Sequence, residues 1–279
     1  MVARRWLPNT FAVWRFAVLC VIAAIVMIPL MATALGGFKD LGELRANPLG
    51  LPHVWLWHNY SDILASRRYW RVLGNSLLIA FFTVVLTIVL ASMAAFAFAH
   101  LRFFGRRFLF GYLALGLMFP AAVAILPLFI KVRDLGLVDT PWGVVLPQVA
   151  FGLAMGVLLM RNAFRQLPPE LLEAALVDGC GYLRFFLLIT LPLSRPILST
   201  VGIIAFVGSW NGYLLPLIML DTNTLYPWPL GLMDFQGEYS TAWQLVLAFI
   251  TLTILPAIIV FVAAQRYIVE GLTAGAVKG

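Results

Sequence analysis

The chain carries the stretch EAALVDGCGYLRFFLLITLP at residues 173–192. Pro169 stands shortly before it, where the first turn of a helix tolerates proline, and Glu173 complements the positive N-terminal end of the helix dipole. Apolar residues then recur at helical spacing until Gly179, which predicts a left-handed cap at the end of the helix. A second, more apolar segment follows and ends at Pro192. The stretch therefore predicts a short helix, a glycine turn and a second helix.

The spacing of particular residues within this stretch is specific. Glu173-Ala174-Ala175 is followed by Gly179 and then by Ile189-x-Leu191-Pro192. This spacing resembles, without a gap, the signature loop of the membrane subunits of bacterial ATP-driven importers of the ABC class. The resemblance implies that residues 168–192 form a cytoplasmic coupling helix that contacts a separate ATPase; a surface hairpin without a partner is the alternative. The residues that it assigns to this contact are Glu173, Ala174, Ala175, Asp178 and Gly179.

The composition is that of a protein with several membrane spans. Of the 279 residues, 62% are hydrophobic and 11% are charged, and the mean hydropathy is +0.96. The net charge of +7 comes from basic residues that flank apolar runs, which indicates contact with a lipid bilayer and not with a nucleic acid. Cys20 and Cys180 imply neither a disulfide framework nor a metal site.

Six apolar runs have the length of a membrane span. They cover residues 16–35, 75–99, 108–130, 142–160, 197–220 and 242–264. The predicted fold class is all-α with six transmembrane helices, in a single permease domain over residues 1–279. A cleavable signal peptide is an alternative for the first run, which contains Ala32-Thr33-Ala34, but a run of about twenty residues exceeds a typical signal core.

The distribution of arginine and lysine predicts that both termini are cytoplasmic. With the N-terminus inside, the inner segments hold more basic residues than the outer ones, and the loop at residues 221–241 has neither Lys nor Arg. This orientation places residues 168–192 in the cytoplasm, where an ATPase can reach them. The predicted location is the inner membrane of a bacterium.

The sequence lacks the groups with which the chain would couple energy by itself. No Gly-x-x-x-x-Gly-Lys-Ser/Thr motif is present, so ATP and Mg²⁺ are expected on a partner ATPase, and neither an enzymatic activity nor a cofactor or metal is expected in this chain. No ionisable residue lies in the central part of a span, which argues against a proton-driven secondary carrier. A sodium site made of carbonyl oxygens keeps a secondary carrier open as an alternative.

Neutral polar residues interrupt several of the spans. An amide beside aromatic rings suits a hydroxylated, uncharged solute through hydrogen bonding and ring stacking, whereas a phosphate would need arginine. The alternative is that these residues only join packed helices by hydrogen bonds. The candidate substrate-path residues are Asn75, Gln148, Ser209, Trp210, Asn211 and Tyr213.

Two further stretches resemble the permeases of carbohydrate importers, most closely the shorter permease of the maltose and oligosaccharide group. Trp210-Asn211 is followed by Leu215-Pro216, and residues 265–279 read QRYIVEGLTAGAVKG. The resemblance implies the type I ABC importer fold and the import of a sugar or oligosaccharide. It also implies a second, homologous permease, two ATPases and an extracytoplasmic solute-binding protein. Gly212-Tyr213 and Cys180-Gly181 depart from the usual family pattern, and a polyol, a glycerophosphodiester or another non-sugar solute stays open.

The outer loop at residues 221–241 contains acidic residues and no basic residue. The family resemblance implies that this loop contacts the docked solute-binding protein, and a solvated connector is the alternative. The candidate contact residues are Asp234, Gly237 and Glu238.

Overall fold

The computed structural model describes residues 10–237 and 240–276, with side chains for residues 13–237 and 240–265. In this part of the chain the regular structure is helical, apart from one isolated antiparallel bridge between Gln236 and Thr241. The all-α prediction is therefore confirmed. The α-helices are α1 (Thr10–Gly36), α2 (Leu41–Ala46), α3 (His58–Ala65), α4 (Arg67–His100), α5 (Arg106–Leu115), α6 (Ala121–Asp134), α7 (Pro141–Phe164), α8 (Pro169–Val177), α9 (Tyr182–Phe185), α10 (Leu191–Leu193), α11 (Arg195–Trp210), α12 (Leu214–Met219), α13 (Trp228–Gly231) and α14 (Trp243–Ala276).

Four helices are long and apolar enough to cross a membrane. They are Val13–Gly36 within α1, the whole of α4 and of α7, and Trp243–Gln265 within α14. Two further helix pairs are bent: Arg106–Met118 meets Ala121–Asp134 at 108°, and Tyr182–Leu193 meets Arg195–Trp210 at 79°. The described residues thus provide four spans, or six if each bent pair is one span, and every predicted run overlaps one of them.

Proline causes the first of these bends. Pro120 has no backbone N–H to donate and disfavours the helical conformation for the residue before it. Phe119 is accordingly extended, with φ −88° and ψ 117°, and α6 begins directly after Pro120. The predicted run at residues 108–130 passes through this point as one continuous span, whereas the structure has a sharp break.

The described residues group into two compact units. One unit comprises the described residues of Met1–Ser66 and Leu232–Leu255, and the other comprises those of Arg67–Gly231 and Pro256–Gly279. The assignment of residues 1–279 to a single domain stays a prediction.

In the first unit, side chains of α3 hold the loop that follows α1. The Tyr60 hydroxyl donates to the Ala34 carbonyl at 2.6 Å, and burial raises the pKa of Tyr60 above its usual value. The buried amide of Asn59 donates to the carbonyls of Gly37 and Lys39, at 2.9 and 3.1 Å. The first bond satisfies a carbonyl that the end of α1 leaves without a helical partner, and the other two hold the loop that follows the helix.

In the second unit, α4, α7 and α11 form the core. Small residues let these helices approach closely, since a Cβ added to Gly156 of α7 would lie only 2.9 Å from the Cβ of Ala91 on α4. One apolar cluster lies around the C-terminal ends of α4 and α7, and Ala175 of α8 packs into it. A second cluster lies around the N-terminal ends of the same helices and includes Leu220, which follows α12.

Candidate functional site

A cavity of about 400 Å³ lies between α4, α7 and α11. Most of its lining residues are apolar or glycine, and none of them carries a charge. Its polar side chains are Thr83 and Thr87 of α4, Gln148 of α7 and Ser209 of α11. A mainly apolar cavity with a few convergent polar groups is the usual form of a small-molecule site.

The side chain of Gln148 joins these polar groups. Its Oε1 atom accepts hydrogen bonds from Ser209 Oγ at 2.7 Å and from Thr83 Oγ1 at 3.0 Å. Both lone pairs of this oxygen are thereby used. The Nε2 atom donates to no group among the described residues, and Gly212 leaves it open, because a Cβ at Gly212 would lie 3.0 Å from Nε2. Gln148 thus presents a free pair of N–H donors.

Thr87 supplies a second unused polar group. Its side chain is 1% exposed and lines the cavity, and its Oγ1 atom has no hydrogen-bond partner among the described residues. A buried hydroxyl without a partner is costly and indicates a site where a ligand or water completes the bonding. Thr83 and Thr87 are not among the substrate-path residues that the sequence predicts. Their spacing of four residues puts both on one face of α4 and is the signal by which they can be found.

The predicted substrate-path residues fall into two groups. Gln148 and Ser209 meet in the cavity, 2.7 Å apart. Trp210 is buried outside the lining, stacked on Phe206 with ring centroids 5.5 Å apart and facing Trp228 at 6.4 Å. The ring of Trp210 therefore packs the end of α11 against α13, which begins at Trp228.

The other three predicted path residues lie apart from the cavity lining. The Asn211 amide donates to the Val207 carbonyl at 3.0 Å and so caps α11, while Tyr213 is exposed in the gap before α12. The Asn75 amide donates to two carbonyls of the loop after α12, at 2.8 and 3.0 Å. The involvement of these three residues in a substrate path stays a prediction.

The stretch at residues 173–192 contains the capped turn that the sequence predicts. Gly179 follows α8 with φ +75°. Its N–H donates to the Leu176 carbonyl at 3.1 Å, and the next N–H, that of Cys180, donates to the Ala175 carbonyl at 2.8 Å. This pair of bonds is the Schellman motif, which requires a residue that tolerates a positive φ.

The face of α8 that is turned away from the core is open. Ala175 is 7% exposed and packs in the cluster that contains Phe164 and Phe185. Glu173, Ala174 and Asp178 are exposed, and Val177 is 87% exposed. Ala175 thus packs α8 against the core, and the exposed residues around it on α8 form a surface of carboxylates and apolar groups.

At the N-terminal ends of α4 and α7, Asp139 holds the loop after α12. Asp139 has φ +58°, and its carboxylate accepts bonds from Thr222 Oγ1 at 2.6 Å, Thr222 N at 2.8 Å and Asp221 N at 3.0 Å. The Thr222 hydroxyl first, and then these backbone N–H groups, hold the pKa of Asp139 below its usual value because they stabilise the ionised form.

The predicted binding-protein contacts belong to the first unit. Asp234 is exposed in the 3₁₀ turn Leu232–Phe235, and the Gly237 N–H donates to the Ser240 carbonyl at 2.8 Å. Glu238 lies outside the described residues, as do residues 277–279 of the C-terminal tail. The contact itself stays a prediction.

An uncharged cavity between spanning helices and an exposed capped hairpin at one end define a membrane transport component. Residues 87–273 match the family described as binding-protein-dependent transport system inner membrane component. The chain belongs to this family and is a multi-span protein of the inner membrane. The activity of this family is transport and not an enzymatic reaction, as the sequence predicts.

Relatives and a solved structure agree with this family. The arabinooligosaccharides transport system permease protein AraQ of Halalkalibacterium halodurans is 36% identical over 92% of this chain and 93% of its own length. The diacetylchitobiose uptake system permease protein NgcG of Streptomyces coelicolor is 31% identical over 95% and 88%. A bacterial ABC transporter involved in the import of the acidic polysaccharide alginate has a chain that matches with a TM-score of 0.80 and 25% identity, over 92% of this chain and 96% of its own. The predicted type I ABC importer permease fold is confirmed.

Proposed function

We propose that this chain is one of two permease subunits of an ATP-driven importer of a neutral sugar or oligosaccharide. The observation that carries the proposal is the cavity in which Gln148, Thr83, Thr87 and Ser209 present neutral hydrogen-bonding groups. Sugar hydroxyls both donate and accept, so they can bond to the free Gln148 amide and to the Thr87 hydroxyl. The names of the two relatives above, which concern oligosaccharides, support the same class of solute.

The composition of the cavity lining favours a neutral sugar over a charged solute. An acidic saccharide or a phosphodiester would require a cation in the cavity, since burying an unpaired anion is expensive. The cavity lining holds no Arg, Lys or His. A neutral polyol satisfies the same chemistry and is the second candidate, whereas a glycerophosphodiester is disfavoured.

The transporter is proposed to contain further subunits. A second, homologous permease completes the pathway as a heterodimer, two ATPases carry ATP and Mg²⁺, and an extracytoplasmic protein delivers the solute. Both termini lie in the cytoplasm in this arrangement. Asp234, Gly237 and Glu238 are the proposed contacts of this chain with the solute-binding protein.

The exposed hairpin couples the ATPase to the cavity. Glu173, Ala174 and Asp178 contact the ATPase, Ala175 seats α8 on the core of the permease, and Gly179 provides the turn. The cluster that receives Ala175 also contains residues of α4 and α7, which line the cavity. Movement of α8 when the ATPases close is thereby transmitted to the helices around the solute, and access alternates between the two sides.

The proposal is tested with the complete transporter in liposomes and with its solute-binding protein. Binding of a panel of neutral saccharides, polyols and glycerophosphodiesters to the solute-binding protein is measured by calorimetry, and ATP-dependent uptake of each binder follows. We expect binding and uptake of at least one neutral saccharide. Uptake of a glycerophosphodiester alone contradicts the choice of solute, and uptake by this chain alone without ATP identifies a secondary carrier.

A further inference from the structure

A second pocket, of about 350 Å³, lies where α7 ends and α5 begins. Its lining residues are Arg106, Arg107, Phe110, Arg161 and Arg165. Four of these five residues are arginines, in contrast to the uncharged cavity between α4, α7 and α11. The pocket therefore concentrates positive charge at one end of the second unit.

Neutral groups orient two of the guanidinium groups. Arg161 Nε donates to the Phe98 carbonyl at 3.3 Å, and its guanidinium carbon lies 4.0 Å from the centre of the Phe110 ring. Arg106 Nη1 donates to the Leu101 carbonyl at 3.0 Å. No carboxylate forms an ion pair with any of the four arginines in residues 13–237 and 240–265. The charges are held in place without being neutralised.

The pocket lies at the ends of two candidate membrane spans. Its residues belong to the beginning of the bent span Arg106–Met118 and to the end of the span Pro141–Phe164. Along the same helix, Leu109 is 46% exposed and Tyr112 is 70% exposed. These two side chains follow Arg106 at intervals of three residues and so continue the row of side chains that begins at this pocket residue. A cluster of cations thus borders an apolar surface that is directed outward from the protein.

We propose that this pocket binds the phosphate group of an anionic membrane phospholipid. A guanidinium group can donate two parallel hydrogen bonds to a phosphate group. The negative charge of the phosphate also relieves the mutual repulsion of the arginines. The acyl chains lie along the apolar surface formed by Leu109 and Tyr112. A free phosphate ion shares the headgroup chemistry but makes no use of this surface, so the structure favours the lipid as its source.

The test uses the complete transporter, purified with its ATPases and placed in nanodiscs of phosphatidylcholine with or without phosphatidylglycerol. Lipid that stays bound is measured by native mass spectrometry. The variant Arg107→Gln/Arg165→Gln removes the two arginines for which the structure gives no internal hydrogen bond. We expect retention of phosphatidylglycerol to fall by about tenfold or more, because each loses a charge-assisted contact.

A matched control removes the same charge elsewhere. Arg102 and Arg195 are exposed and do not line the pocket, so Arg102→Gln/Arg195→Gln keeps wild-type retention. If the glutamine variant does not assemble, Arg107→Lys/Arg165→Lys preserves the charges and retains more phosphatidylglycerol than phosphatidylcholine.

Five outcomes, the last from competition with phosphate, overturn the proposal. They are equal retention of phosphatidylglycerol in the wild type and the glutamine variant, equal retention of the two lipids by the wild type, and no preference for phosphatidylglycerol in the assembled lysine variant. The fourth is loss of ATPase from the glutamine variant with its lipid unchanged, which identifies a protein contact. Inorganic phosphate is added as a competitor: lipid that persists supports the lipid source, and full displacement at millimolar phosphate assigns the pocket to the free ion.

Discussion

Ser209 Oγ donates a hydrogen bond to Gln148 Oε1 at 2.7 Å, which links α11 to α7 across a mainly apolar cavity. The bond fixes the orientation of the Gln148 amide, so that its nitrogen points to the space that Gly212 leaves free. A bond of this kind between spans also contributes to helix packing. If the Gln148 amide binds the solute, its replacement lowers uptake. If it only packs the helices, its replacement lowers the melting temperature.

We expect Gln148→Met to reduce sugar uptake by about tenfold or more, because losing a buried hydrogen-bond partner of the solute costs about 1–3 kcal/mol. Methionine keeps the length of the side chain, and the freed Ser209 and Thr83 hydroxyls can bond to carbonyls of their own helices. Uptake in liposomes and thermal unfolding are measured together. Leu215→Met, on the apolar lining, serves as the control and transports normally. Normal uptake with a lower melting temperature would identify Gln148 as a packing residue only.

We expect Gly179→Val to abolish uptake and to release the ATPase from the complex. The backbone of Gly179 has φ +75°, where a β-branched residue costs about 1–2 kcal/mol, and no atom lies within 4 Å of an added Cβ, so the effect is conformational. Gly181 also has open space around it but has φ −68° and ψ 161°, which valine adopts freely. Co-purification of ATPase is compared for both variants. Equal retention would mean that the left-handed cap does not matter for coupling.

We expect Glu173→Lys to weaken ATPase association by about tenfold or more, since a charge-assisted contact contributes about 1.5–3 kcal/mol. Glu173 is exposed on α8, as is Glu170 one turn earlier. Glu170→Lys makes the same charge change on the same helix and is the control for the electrostatics of the helix end. Affinity is measured by titrating the ATPase onto the permease pair in detergent. A similar loss in both variants would point to general electrostatics and not to a contact of Glu173.

The local features of this chain follow from its sequence, whereas the composition of the cavity follows only in part: Gln148 and Ser209 are predicted, and the two threonines of α4 are not. Gly179 is recognised because only a residue without a Cβ fits the cap at no cost, and the spans follow from apolar run length. The break at Pro120 depends on whether neighbouring helices satisfy the freed carbonyls, which a single run does not encode. Thr83 and Thr87 reach the cavity because of the register between α4, α7 and α11, and residue spacing within one helix leaves that register undetermined.

We expect Arg102 to be cytoplasmic and Gln236 to be on the outer side, as the distribution of basic residues predicts. Both residues are exposed and suit replacement by cysteine in a background in which Cys20 and Cys180 are serine. Labelling of intact cells with a membrane-impermeant maleimide should modify Gln236→Cys alone, and Arg102→Cys should react only after the cells are opened. Labelling of Arg102→Cys in intact cells would reverse the orientation and remove the coupling hairpin from the ATPase.

We expect Asp139→Asn to lower the melting temperature of the transporter at neutral pH. Asparagine tolerates the positive φ of this position but lacks the charge that strengthens the bonds from Thr222 and Asp221. The pKa of Asp139 is lowered in the folded state, so its contribution is fully present above the ordinary aspartate pKa of about 3.9 and is lost as the pH falls through the lowered value. The difference between wild type and variant should therefore be constant from pH 7 to about pH 5 and shrink in more acidic solution. Thermal unfolding of the purified complex over this range measures it, with Asp134→Asn, which disrupts an exposed pair with Arg133, as the control. A difference that persists unchanged in acid would show that the carboxylate charge does not stabilise the loop after α12.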